Sequence, residues 1–510
     1  MCVCSGRFRV VIQFLLAAAL SAVGQEPKSQ PVMYVDVSRS IQLNQPVWHH
    51  LPGWQRCSSL DLIRAQNLNK ADLLVIRNIA DSIPYTEAEI QAVKTFVRTG
   101  GGLLLIGNLS DSPGPFAPFQ DGTWQKVEML PTSRFASNQL AKHFGVSLTN
   151  TRHRGKPEFN AKAPLNLGID LTPLCFPQAL SALRLREKAR GELVHAWGEP
   201  VAVARQHGEG RVIVCGASWL FWRRGDPKEF AAQQALLEKW CRWLIAGREA
   251  RPTSLPALPH RIDPPLSLET KHAVFLHIPQ LADETKRIAR EWKDVWAVLQ
   301  TTTGLPSAMA LAPPQEGDGR MRVHVRAALR GGYASEACIG MAAMGRKSDR
   351  ISLLGHEVGH KLLGGPTHGV SEAFAEWLSC LCLRSCGCEK VAAETERKYA
   401  TAFRAVDPDG TALDVADPKA STEHFHACMG KWSWIIGYLE TRYGTDFLKH
   451  YVAAMNKRFS MDGSHHRLRD GQRIQITMAD MVLAMSDAAG RDLSPWFRSI
   501  GTSLNMPAGK

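Results

Sequence analysis

The apolar positions of this chain fall into two regimes. Up to about residue 245 they come as short solid runs separated by helical stripes. Residues 32–37, Asp72-Leu73-Leu74-Val75-Ile76 and Gly102-Leu103-Leu104-Leu105-Ile106-Gly107 are such runs. A run apolar on successive residues is a strand buried on both faces, the habit of a parallel sheet covered by helices. Between the second and third runs, Thr86 and Glu89 form a capping box, the apolar stripe continues through Phe96-Val97, and Gly100 ends the helix. Strand, helix and strand at this spacing predict a parallel sheet. Residues 201–205 and 211–214 then flank His207-Gly208-Glu209-Gly210 as a hairpin, and residues 229–245 form a helix carrying Trp240 and Trp243.

The prolines at 252, 256, 259, 264 and 265 mark a linker over 251–265. Beyond it the pattern becomes mixed, then mostly helical. Residues 273–278 and 321–325 read as strands, and 283–300 as a helix with Trp292 and Trp296 one turn apart. A helix around 350–362 takes its N-cap from Ser348-Asp349, its apolar face from Ile351, Leu353, Leu354 and Val358, and its stop from Gly364-Gly365-Pro366. Gly369-Val370-Ser371 caps a second helix over 372–383, and 428–443 and 447–455 form two more. The pattern predicts an α/β domain with a parallel sheet at 32–250, the 251–265 linker, and an α+β domain with a mostly helical C-terminal lobe at 266–510.

Composition places the chain among globular proteins, with 45% hydrophobic and 21% charged residues. At 510 residues it is too long for a single ordinary core. Arg7 and Arg9 precede an apolar stretch over 10–20 and the small residues Ala22-Val23-Gly24. That is the form of a secretory signal peptide over 1–24, cleaved after Gly24. The apolar stretch is short for a membrane span, an uncleaved anchor being the alternative, and nothing after it is long enough to cross a bilayer. The expected location is therefore secreted, periplasmic or at the cell surface. A net charge of +13 fits an anionic neighbourhood such as acidic glycans, a cell wall or a membrane surface, with plain solubility as the other reading. No nucleic-acid motif is present. Ten of the 12 cysteines follow the signal segment. Cys215 and Cys241 sit singly in apolar surroundings, as buried hydrophobes do. Cys380, Cys382, Cys386 and Cys388 do not have zinc-site spacing, and helix-end packing with one or two disulfides is expected.

The chemistry concentrates at His356-Glu357-Val358-Gly359-His360. On a helix the two histidines stand on one face about 6 Å apart along the axis, where both imidazoles can hold one zinc ion. Glu357 beside them is placed to act as general base on a metal-bound water. A third ligand must follow, and His368, Glu372 and Glu376 are the candidates. His368 falls eight residues after His360, out of register with the six-residue spacing of an all-histidine site. Glu372 is the preferred ligand. Glu376, one turn on, is then placed to bond the other nitrogen of a ligand histidine and fix its tautomer, with the reverse assignment open. His424, His426, Tyr333 and Tyr438 are candidate donors to an oxyanion. The glycine-rich stretch over 331–340 is a candidate edge strand for pairing with a substrate backbone.

This segment, with Gly369-Val370-Ser371-Glu372 and Ser379, resembles the enhancin-like, mucin-targeting zinc peptidases of metallopeptidase family sixty. Their pattern is H-E-x-G-H, a variable gap, then G-x-x-E-V-x-x-N-x-x-S. Ala373 and Glu376 depart from it. The closing Gly490-Arg491-Asp492-Leu493-Ser494-Pro495-Trp496-Phe497 is similar to the family's G-x-x-L-x-P-F-F element, so the likeness covers about 266 to the end. The earlier part resembles the class I glutamine-amidotransferase-like, flavodoxin-like domain. The order of the two parts is similar to the channel-associated-factor family. An amidotransferase needs a nucleophilic cysteine after a strand, and Gly107-Asn108-Leu109-Ser110 has none, Ser110 being the nearby hydroxyl. That domain is therefore expected to bind or orient rather than catalyse, with the His49-His50 pair a candidate lining or plain packing.

The resemblance implies a zincin fold of the gluzincin type. It implies a secreted zinc metalloendopeptidase with His356, His360 and Glu372 as ligands, and a protein or mucin-like glycoprotein substrate. The rival expectations are a partner-binding pseudo-protease and a zinc amidase of cell-wall peptide.

Overall fold

A computed structural model describes residues 30–38, 47–78, 84–107, 117–118, 124–125, 136–155, 158–160, 162–174, 176–185, 192–196, 199–217, 220, 226–248, 257–305, 320–326, 332–334, 338–342, 346–362, 366–461, 467–469 and 472–504. The signal segment, Ser110, residues 251–256 of the linker and the Gly364-Gly365 stop lie outside these.

The solid apolar runs become the middle of a sheet. Its strands are β1 (Val32–Asp36), β2 (Gln55–Ser59), β3 (Leu73–Asn78) and β4 (Gly102–Gly107), with helix α1 (Ala65–Leu68) before β3 and α2 (Glu87–Arg98) before β4. After a small hairpin, β5 (Ala117–Pro118) with β6 (Trp124–Gln125), come α3 (Ala136–Ala141), β7 (Val146–Gly155), β8 (Glu158–Phe159), β9 (Phe176–Leu185), β10 (Glu192–Ala196), β11 (Glu199–His207) and β12 (Gly210–Cys215). Helix α4 (Pro227–Ile245) and β13 (Arg261–Ile262) follow. The order is β13-β2-β1-β3-β4-β12-β11-β10-β8. The strands from β13 to β12 run parallel. The sheet continues antiparallel through the predicted hairpin. Each central strand feeds two cores. Val35, Val75 and Leu104 pack under α4 with Trp240, while Tyr34, Leu74 and Leu103 pack under α2 with Phe96 and Val97. Burial on both faces is why these strands read as unbroken apolar runs.

The predicted capping box exists: Thr86 N donates to Glu89 Oε2 at 2.9 Å and Glu89 N to Thr86 Oγ1 at 3.2 Å. His50 lies edge-on to Phe230 at 5.3 Å, a packing contact. The end of the expected linker is ordered, because β13 adds to the first sheet beside β2.

The second part opens with a sheet in the order β14-β15-β16-β18-β17. These are β14 (Leu266–Glu269), β15 (Ala273–His277), β16 (Met321–Arg326), β17 (Gly332–Ala334) and β18 (Cys338–Ala342), with α5 (Ala282–Thr303) between β15 and β16. Then come α6 (Lys347–Leu362), α7 (His368–Ser385), α8 (Glu389–Val406), α9 (Pro418–Glu423), α10 (Phe425–Tyr443) and α11 (Phe447–Arg458). A small sheet, β19 (Ser460–Met461), β20 (Arg467–Arg469) and β21 (Gln472–Ile474), precedes α12 (Met478–Ala489) and α13 (Ser494–Ser499). The chain is thus an α/β region with a mostly parallel sheet followed by a largely helical region. No helix among the described residues is long and apolar enough to cross a membrane.

Three expectations need correction. Helix α6 starts at Lys347, before the proposed Ser348-Asp349 cap, and Asp349 in its first turn accepts from Arg346 N at 2.9 Å. Helix α7 starts at His368 and is capped by Thr367, whose Oγ1 accepts from Val370 N at 3.3 Å. The glycine there is inside the first turn, so Glu372 lies in the second. The disulfides expected of Cys380, Cys382, Cys386 and Cys388 are not formed: all four are thiols. Cys380 and Cys382 sit two apart on α7, where side chains do not face each other. Burial pushes both thiols up to about 12.

One buried ion pair ties the helical region together. Lys431 on α10 is fully buried and donates to Asp407 Oδ2 at 3.0 Å and to the carbonyls of Leu413 and Ile500, each at 2.6 Å. Asp407 also accepts from the amides of Thr411, Ala412 and Leu413 at 2.9–3.0 Å. Burial works to raise this carboxyl, but the amides and Lys431 outweigh it and lower it to about 2. A depressed carboxyl contributes stability above its unfolded value and loses it as pH falls through the folded one. Asp407→Ala should therefore cost about 3 kcal/mol in urea unfolding at neutral pH. Its deficit should shrink as the pH drops from about 4 toward 2.

Candidate metal centre

Helix α6 carries the two histidines, and what meets them is set by two glycines. A Cβ on Gly359 would lie 2.6 Å from Ala375 Cα, and one on Gly355 would lie 3.1 Å from Ser379 Cα and from Cys382 Sγ. The bare stripe lets α7 lie close against α6, the most extensive helix–helix contact among the described residues. The hydroxyls of Ser352 and Ser379 join across it at 2.8 Å. On its other side α6 is held by Arg350, whose guanidinium grips Glu291 of α5 at 2.7 and 2.5 Å.

This packing brings three donors to one point. His356 Nε2 lies 3.1 Å from His360 Nε2 and 3.2 Å from Glu372 Oε2, and His360 Nε2 lies 3.4 Å from Glu372 Oε1. A tetrahedral ion bound at about 2.0–2.1 Å sets its ligand atoms about 3.3 Å apart, so the triangle has the dimensions of one face of a zinc site. The three residues form the metal-capable group among the described residues. Behind them, His356 Nδ1 faces Glu376 Oε2 and His360 Nδ1 faces Ser371 Oγ, both at 3.1 Å. These outer contacts fix which ring nitrogens face the centre. Glu372 and Glu376 thus occupy the two places the sequence offered them, Glu372 in front and Glu376 behind. His368 stands beside Glu372 at 3.6 Å with a largely exposed ring.

Electrostatics set the protonation of the cluster. Burial alone would lower His356, but its bonds to Glu372 and Glu376 and the nearby charge of Glu357 raise it to about 10. Burial would raise Glu372, yet His356, His360 and His368 bring it below the ordinary carboxylate value. Glu357 is only 4% exposed. Burial, countered by His356 and reinforced by Glu372, lifts its carboxyl to about 7. Strand β17 lies at the sheet edge, antiparallel to β18. A Cβ on its Gly332 would come within 2.5 Å of Glu357 Oε1, so the strand's bare backbone roofs the carboxylate.

An aromatic row flanks Glu372: His368 stacks on Phe425 at 5.2 Å, Phe425 meets His426 at 5.6 Å, and His426 meets Tyr399 at 5.6 Å. Sequence reasoning missed Tyr399, whose phenol is raised by burial and by Glu376, Cys380 and Glu372. Its only signal was an aromatic on the inner stripe of α8. Of the other donor candidates, Tyr438 stacks on Trp496 at 4.8 Å in a separate row, and His424 occupies the N-cap position of α10 without a side-chain capping bond. The side chains of Tyr333 and His49 lie outside the described residues.

No family model matches this chain, and no curated protein matches it. Among solved structures, it is similar to an mmIFT52 N-terminal domain at 15% identity, with 42% of this chain and 98% of that one covered and a TM-score of 0.30. A cytoplasmic protein of Salmonella typhimurium gives 14% identity, 42% and 98% coverage and a TM-score of 0.31. An exo-beta-1,4-mannosidase from Opitutaceae bacterium strain TAV5 gives 13% identity, 46% and 38% coverage and a TM-score of 0.23. Likeness at these scores assigns neither a family nor an activity.

Two outcomes follow from the geometry. Gly359→Ala should push α7 outward and lower zinc affinity about 10–100-fold, by chelator competition, with unchanged circular dichroism. Zinc bound at the triangle would displace the proton that the raised His356 favours, so its apparent affinity should rise about tenfold per unit from about pH 6 to 8. A flat profile would contradict the assignment.

Proposed function

We propose that this chain is a zinc-dependent endopeptidase of the gluzincin type, exported to the cell surface, periplasm or medium, acting on protein or mucin-like glycoprotein. On this reading the first region is a flavodoxin-like, amidotransferase-like domain without catalysis, and the second a zincin of the enhancin-like kind. The observation that carries the reading is the triangle of His356, His360 and Glu372 donors at 3.1–3.4 Å beside the buried carboxylate of Glu357. Zinc bound there would supply Lewis-acid polarisation of the scissile carbonyl and lower the pKa of water toward about 7.

The remaining roles belong to the chain. Glu357 takes a proton from the attacking water at its carboxylate and returns it to the leaving amine. Its raised affinity for protons suits both transfers near neutral pH. Edge strand β17 pairs with the substrate backbone, and Gly332 lets that backbone approach Glu357. Tyr399, whose phenol feels the charges of Glu376 and Glu372, and His426 beside it at 5.6 Å are the donors assigned to the developing oxyanion.

Glu357→Gln should retain one zinc per chain while casein or mucin cleavage falls about 10²–10⁴-fold. Unchanged cleavage would remove the mechanism. Purified peptidoglycan as a parallel substrate separates protein hydrolysis from amidase action.

A further inference from the structure

A second concave site lies at the opposite edge of the C-terminal sheet. The order β14-β15-β16-β18-β17 puts β17, which roofs Glu357, at one edge and β14 at the other. Between the β14–β15 turn and the outward stripe of α5 is a cavity of about 910 Å³. That volume falls within the usual range of small-molecule sites, about 300–1,000 Å³.

Its construction is amphipathic. The floor is apolar: Trp292 and Trp296 stack at 5.5 Å, His272 lies over Trp296 at 5.6 Å, and Ala289 and Ala297 leave room above them. Burial and the neighbouring Lys271 lower His272, so its ring is neutral and adds to the floor. The rim is cationic: Lys271, Lys286, Arg290 and Lys293 all border the opening. Glu269 is the one carboxylate in the lining, and it is bound to Arg320 at 2.8 Å. Asp283, outside the lining, engages Lys286 at 3.1 Å on the surface. The excess of positive charge around an apolar hollow is complementary to a ligand with an apolar body and one acidic head.

We propose that this cavity binds an amphipathic organic anion, of the class of long-chain carboxylates, at a site separate from the metal centre. The acyl body lies along Ala289 and Ala297 over the tryptophan floor, and the carboxylate meets Arg290 and Lys293. The proposal does not depend on the peptidase reading, since it uses none of that site's residues.

The test is calorimetric titration of the full chain with dodecanoate below its micellar concentration. One saturable site is expected. The rim variant Arg290→Glu with Lys293→Glu should weaken it at least about tenfold, and dodecanol should bind at least about tenfold more weakly than dodecanoate. Ala297→Trp, at an exposed helix position, should fill the hollow and abolish binding without shifting the melting temperature. Absence of saturable binding would overturn the proposal. So would equal affinity for dodecanol, or binding indifferent to both variants. If the rim variant loses binding to heparin while dodecanoate never binds, the surface serves an acidic polymer and the proposal is wrong.

Discussion

The close contact of α6 with α7 is the constraint on which the rest of the site depends. Two histidines one turn apart can hold an ion only if a third donor is brought within about 3.3 Å of both. That donor comes from another helix, and ordinary helix pairs sit 8–10 Å apart. Gly355 and Gly359 remove the side chains that would hold α7 away, and Ala375 and Ser379 answer with small groups of their own. The same approach lets Glu376 and Ser371 reach the outer ring nitrogens. The metal-facing and outer contacts therefore come from one packing decision.

The charges follow from that decision. Three carboxylates and two imidazoles share a poorly solvated space, which raises both His356 and Glu357. A dication at the triangle would offset the carboxylates' charge more strongly than a proton, which is the physical sense in which these residues fit zinc. Glu357 differs from its neighbours in being roofed by β17. A side chain at Gly332 would collide with Glu357 Oε1, so the bare backbone there leaves the carboxylate its place.

The two regions are joined through β13. It extends the first sheet beside β2, while the Arg261 side chain lies 2.7 Å from His324 Nε2 on β16 of the second. Burial and the nearby Arg261, Arg326 and Arg322 hold His324 well below its ordinary pKa, so the contact is of a cation with a neutral ring. Leu62 of the first region packs on the core of the second. The proline-rich end of the expected linker is thus part of a structured junction.

Much of this is legible in the sequence. Runs such as Leu103-Leu104-Leu105-Ile106 announce strands buried on both faces, Thr86 with Glu89 announces a helix start, and His356 with His360 places two donors on one helical face. All of these are local patterns, set by the periods of strand and helix. Tertiary structure decided the rest. Thr367 rather than the glycine run caps α7, because side-chain bonding to the amide three residues on outcompeted the flexible glycine. Tyr399, which feels the charges of Glu376 and Glu372, and the roof at Gly332 come to the centre from other elements, and no local period encodes such a meeting. The four clustered cysteines suggested cross-links, but helix geometry and burial left them as packing thiols. The sequence by itself named the donors of the candidate centre; only the closeness of two helices decided that Glu372 stands in front of the histidines and Glu376 behind, because that depends on distances between separate elements.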